Sequence, residues 1–124
     1  MAKILMEDDI AFEKVEWGLT KELFAPHTVG SKKIKVKITE WLPGHVHKRH
    51  NHPDQEEVIY ILSGNGIAET DDDKKEIGPG SVVFVGAGEA HTTYNISDRE
   101  SLRGIVIKSP PEDEEVPLQQ GEAQ

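Results

Sequence analysis

The sequence contains no cysteine, which excludes disulfides, thiolate-bound zinc fingers and a thiol nucleophile. Aromatic residues are scarce at 6%, and no apolar run approaches the roughly 18 residues that cross a bilayer as a helix. Basic residues are in the minority. Fourteen Lys and Arg face 23 Asp and Glu, and the resulting net charge of −9 argues against binding a phosphate backbone. Five of the negative charges (Glu112, Asp113, Glu114, Glu115 and Glu122) lie near the C-terminus, leaving about −4 on the rest of the chain. A small anionic substrate therefore stays admissible, whereas nucleic acid and membrane do not. Acidic residues follow directly on the short apolar start MAKILM, unlike a secretory signal, so a cytoplasmic location is expected. Neither a Ser-His-Asp ordering nor a phosphate-cradling glycine loop leading into a helix is recognisable.

What the chain does have is a succession of short apolar runs separated by Gly and Pro, within the 124 residues of one domain. Residues 15–23 alternate enough to predict a strand, and residues 32–41 predict a clearer one. There Ile34, Val36 and Ile38 alternate with Lys33, Lys35 and Lys37, which implies a dry face and a solvated lysine face that is not an anion site. His27 sits in a loop marked by Pro26 and Gly30, as a solvated residue. Residues 57–62 are apolar on both faces, so a covering layer is expected over each side: the N-terminal strand or a second subunit, hence a homodimer. With the further runs around Val82–Val85, His91–Ile96 and Leu102–Lys108, eight to ten short strands are expected. Helical periodicity is nearly absent, and this pattern indicates an all-β sandwich or closed barrel. The acidic, Pro-rich residues 109–124 read as a disordered tail on a domain of residues 1–108.

Histidine is concentrated. Four of the six histidines fall between Gly44 and Gly64, in GHVHKRHNHPDQEEVIYILSG, and His91 lies in a second Gly-punctuated stretch, GSVVFVGAGEAHTTYN. Imidazole and carboxylate suit a divalent transition ion: Mn, Fe, Ni, Co or Zn. In an extended segment His50 and His52 share one face and His45 and His47 the other, unless a bulge intervenes. Both Glu56 and Glu57 share a face with apolar neighbours, so parity does not choose between them. Taken by itself, the tract also fits a solvated basic patch that binds metal adventitiously, and a lone His91 fits a hydrogen-bonded core residue.

The spacing of the two stretches resembles the paired motifs of the cupin superfamily, in the manner of its small single-domain members. Gly44, His50, His52, Glu57 and Gly64 fall on the first motif without a gap. Gly80, Gly88, His91 and Asn95 fall on the second, with Gly86 where proline is usual. The departure touches a turn and no ligand. The resemblance implies a double-stranded β-helix, the cupin jelly-roll barrel, with His50, His52, Glu57 and His91 holding one divalent transition metal per chain. It also implies dimerisation.

Three imidazoles and one carboxylate would leave two positions of an octahedral shell for a small-molecule substrate, dioxygen or water. The leading expectation is a small dioxygenase-type enzyme acting on a polar, oxygen-rich compound. The alternatives are an oxygen-independent isomerase or lyase on sugars or keto acids, and a cupin that binds a small ligand without turnover. Glu56, His47 and Tyr94 are the candidates for moving a proton.

Overall fold

The structure is a computed structural model that describes residues 2–112 and 116–117. Of the expected tail, residues 113–115 and 118–124 lie outside the described residues.

Among the described residues the chain forms eleven short strands: β1 (Glu13–Val15), β2 (Gly18–Phe24), β3 (Lys35–Trp41), β4 (Val46–Asn51), β5 (Glu56–Ser63), β6 (Gly66–Thr70), β7 (Lys74–Ile77), β8 (Val82–Val85), β9 (His91–Asn95), β10 (Leu102–Ser109) and β11 (Val116–Pro117). One short α-helix, α1 (Pro26–Val29), carries the exposed His27. The strands form two antiparallel sheets, ordered β1-β2-β3-β10-β5-β8 and β11-β4-β9-β6-β7. One face of each sheet is thereby placed against the other sheet. The all-β jelly roll expected from the sequence is the fold observed. The strand expected over residues 15–23 is instead two, β1 and β2, joined by a turn at Glu16–Trp17.

Cross-strand partners share one face of a sheet, so register alone maps the inner surface of the larger sheet. At one end Trp41 faces Leu102, and Ile61 faces Gly104. The next row runs Ile59, Val106, Lys37, Glu22, and the last runs Val85, Glu57, Lys108, Lys35. The interior is therefore graded along its length. Trp41, Ile59, Ile61, Ile77, Leu102 and Val106 form a dry core, and ionisable groups gather at the opposite end.

That grading corrects the expectation for β3. Lys35 and Lys37 point inward, not to solvent, and the apolar alternate positions form the outer face. Residues 7–12 cover that outer face. Lys21 pairs in register with the buried Ile38, donates to the Glu7 carbonyl at 2.9 Å and lies 4.4 Å from the Phe12 ring centre. Of the two covering layers expected over the outer face of β5, the N-terminal segment is not the one, because it does not reach that face. Tyr60 is 43% exposed beside Val82 and Phe84, which are 61% and 60% exposed.

Two glycines of the motif spacing position the site. Gly64 takes φ +87°, and a Cβ there would stand 2.3 Å from the Ser101 carbonyl oxygen, so only glycine closes this turn. Gly88, at φ +76°, donates its N–H to the His52 carbonyl at 2.9 Å and so ties the bend before β9 to the end of β4.

Candidate metal centre

His50 and His91 are direct cross-strand partners in β4 and β9. His52 follows β4 at the turn before β5, and Glu57 projects inward from β5. All four residues are almost fully buried, none more than 5% exposed. One ring nitrogen from each of His50, His52 and His91 lies within 4.8 Å of the others. The Glu57 carboxylate stands 3.2 Å from His91 Nε2 and 3.8 Å from His52 Nε2. Two ligand atoms held at ~2.1 Å from a common ion lie ~3 Å apart when adjacent, so this donor set fits a divalent transition metal.

Local chemistry prepares the donors. His50 Nδ1 lies 2.6 Å from the Lys48 carbonyl, which can only accept, so Nδ1 carries the proton and Nε2 presents its lone pair. Burial pushes the Glu57 carboxyl up. The hydrogen bond and charge of His91, and the charges of Lys108 and His52, outweigh it and hold the group at about 2. Glu57 is thus an anion at neutral pH despite its burial.

The strand carrying His47 and His50 is irregular. Register shifts between His47 and His50, so an extra residue is accommodated there. His47 consequently does not face away, as unbroken alternation predicts, but stacks on His50 with ring centres 3.9 Å apart. Trp17 stacks on His47 at 4.6 Å and on Trp41 at 5.8 Å, which extends the ladder of rings into the core. His45 stays exposed. Of the proton-moving candidates, only His47 reaches the site. Glu56 is exposed, and Tyr94 pairs with the exposed Val46 on the outer face of the smaller sheet.

Two residues at the site are not evident from the motifs. Lys108 is 4% exposed and places Nζ 3.5 Å from Glu57. A signal for it exists, because Leu102, Gly104, Val106 and Lys108 are alternate residues of one strand face. Gln55, also buried, donates to the carbonyls of Pro110 at 2.7 Å and Glu112 at 3.2 Å, holding the chain after β10 against the turn between β4 and β5. Asn95, in the second motif, serves the fold instead. Its amide donates to the Trp41 and Glu100 carbonyls and so joins the two sheets.

Comparison with known proteins agrees with this geometry. An uncharacterized protein of Streptomyces coelicolor is 41% identical over 58 residues, which are 47% of this chain and 53% of that one. The chain therefore spans about half the length of this curated relative. The solved structure of the polyketide cyclase RemF from Streptomyces resistomycificus matches with a TM-score of 0.82 at 22% identity, over 99% of this chain and 89% of that one. KdgF from a Halomonas species matches with a TM-score of 0.78 at 17% identity, over 89% and 96%. At such identities the likeness shows the fold, a double-stranded β-helix. The family model described as the cupin domain matches residues 37–108, and the chain belongs to that family.

Proposed function

We propose that this chain is a small metal-dependent enzyme of dioxygenase type, acting in the cytoplasm on a small, polar, oxygen-rich compound. His50, His52, Glu57 and His91 would hold one divalent transition ion. The observation that carries the reading is the convergence of three buried imidazoles on one buried, ionised carboxylate. Bound there, such an ion supplies Lewis-acid and oxygen-activating chemistry. The chain's own groups do the rest. The Lys48 carbonyl orients His50, Lys108 and His91 keep Glu57 charged, and the ring ladder from Trp41 to His50 holds His50 against the core.

An oxygen-independent isomerase or lyase on sugars or keto acids is the second reading. It is favoured by Lys108, a buried ammonium group beside the donor set that can carry a proton. The name of one structural relative, a polyketide cyclase, points the same way. Oxygen uptake by the Fe(II)-loaded protein with enols and catechols separates the two. Turnover of uronates or keto sugars without oxygen uptake removes the dioxygenase reading. Ligand binding with no turnover of either panel leaves the non-catalytic role. The exposed apolar residues Tyr60, Val82, Phe84 and Ile107 support a homodimer formed through the outer face of the larger sheet.

A further inference from the structure

The outer face of the larger sheet is apolar across most of its width but covered on one side only. Register places Lys21, Ile38, Ile105, Tyr60 and Val82 in one row across five strands. Exposure rises along that row. Lys21 and Ile38 are buried, Ile105 is half-buried, and Tyr60 and Val82 are exposed. Val36, Ile107, Val58 and Phe84 form the next row, and its far end at Phe84 is open too. The cover at the near end is residues 7–12, and it is pinned. Lys21 Nζ donates to the carbonyls of Glu7 at 2.9 Å and Ile10 at 3.3 Å, and the Glu7 carboxylate pairs with both Lys21 and Arg103. Just upstream of the pin, two apolar side chains are left in solvent: Ile4 is 99% exposed and Met6 68%.

Contiguous apolar surface left in water marks an interaction site. Here the open half of the face continues a contact already made, that of residues 7–12 with the near half, and the uncovered Ile4 and Met6 belong to the same segment. We infer that residues 2–6 of a second copy of this chain cover Tyr60, Val82 and Phe84. A two-fold axis makes the exchange mutual, because an isologous interface repeats every contact. Each copy then supplies the segment that completes the other's face. Length permits it. Five extended residues span up to about 17 Å, more than the roughly 5 Å between β5 and β8 that the segment has to bridge. Charge agrees as well. Val82 and Phe84 also border a cavity of about 420 Å³ where Asp73, Glu76 and Glu89 outnumber Lys75, and Lys3 precedes Ile4 in the segment. This contact rests on the homodimer reading and adds to it the residues that make the interface.

The chain has no cysteine, so introduced thiols report position without background. Ile4→Cys and Val82→Cys proteins, mixed in equal amounts and oxidised with diamide, should give a disulfide between two chains, located at residues 4 and 82 by peptide mass spectrometry. Ile4→Cys mixed with Val46→Cys, exposed on the smaller sheet, should give none. Sedimentation velocity over a dilution series supplies the second measurement. The double variant Ile4→Ser/Met6→Ser should raise the dimer dissociation constant at least about tenfold, as expected when aliphatic side chains are taken out of a contact. Its circular dichroism should match wild type, because neither side chain packs in the isolated chain. A wild-type dimer whose dissociation constant is unchanged in the double variant, or whose mixture forms no link between residues 4 and 82, overturns the inference and leaves the homodimer reading standing. A link within one chain of Ile4→Cys/Val82→Cys protein at monomer dilution overturns it too, since the segment would then cover its own face. A monomeric wild type removes both.

Discussion

His47 lies ring against ring with His50, their centres 3.9 Å apart, although regular alternation along β4 would send them to opposite faces. The register shift between them makes the contact. Each stacked ring pair is worth about 0.5–1.5 kcal/mol beyond its buried area, and His47 makes two, with Trp17 and His50. His47→Ala should therefore lower stability by about 1–2 kcal/mol, measured by urea unfolding. His47→Phe should recover most of the loss. Metal content should stay unchanged in both, and its loss in His47→Phe would instead make His47 a ligand.

Metal content should be about one ion per chain after reconstitution, and His52→Ala should remove most of it. Because protonated imidazole cannot coordinate, occupancy should fall as pH drops below roughly 6.5. Elemental analysis after dialysis across pH 8 to 4 reads both. Full occupancy well below pH 5 would exclude histidine ligation.

Glu57 gives the metal-free protein a second pH dependence. Its carboxyl is held at about 2 in the fold, against roughly 4.3 in an unfolded chain. The unfolded state therefore takes up the proton first. This stabilisation is complete above pH ~4.3 and is lost as pH falls towards 2. Denaturant midpoints of wild type should fall between pH 5 and 3 more steeply than those of Glu57→Gln. Parallel curves would show that Glu57 is not the linked group.

Lys108→Met removes the ammonium 3.5 Å from a buried carboxylate. Breaking a buried pair from one side costs about 3–5 kcal/mol, and the other partners of Glu57 reduce this to an expected ~2–3 kcal/mol in the metal-free protein. A bound cation should replace the lost charge. Thermal unfolding should then show a smaller gap between variant and wild type in loaded samples than in metal-free ones, and an equal gap would count against it.

Phe84→Glu puts a charge into the exposed apolar face of β5 and β8. Sedimentation velocity should show a dimer for wild type and a monomer for the variant, with circular dichroism unchanged. A monomeric wild type ends the dimer proposal.

Residue spacing makes the fold and the four candidate ligands legible because two turns and three strands must close at fixed lengths. Gly64, barred from any side chain by the Ser101 carbonyl, is one of those fixed points. Strand parity is a poorer guide. It misses the register shift at His47, since no local residue type announces it. It also inverts β3, where apolar alternation marks the outer face under residues 7–12 and the lysines face the polar end of the interior. The period is right and its sign is not. Lys108 is legible only by its parity with Leu102, Gly104 and Val106, and its partner Glu57 is evident only once β10 is paired with β5.

The grading of the interior from Ile61 and Leu102 to Glu57 and Lys108 has an evolutionary consequence. The apolar core lies at one end of the molecule and the ionisable groups at the other, and Ile59 and Val106 share the row between with Lys37. Substitutions in the polar rows can therefore alter the chemistry of the interior while the residues of the dry core are left alone. A scaffold divided in this way can change its polar end without repacking its core.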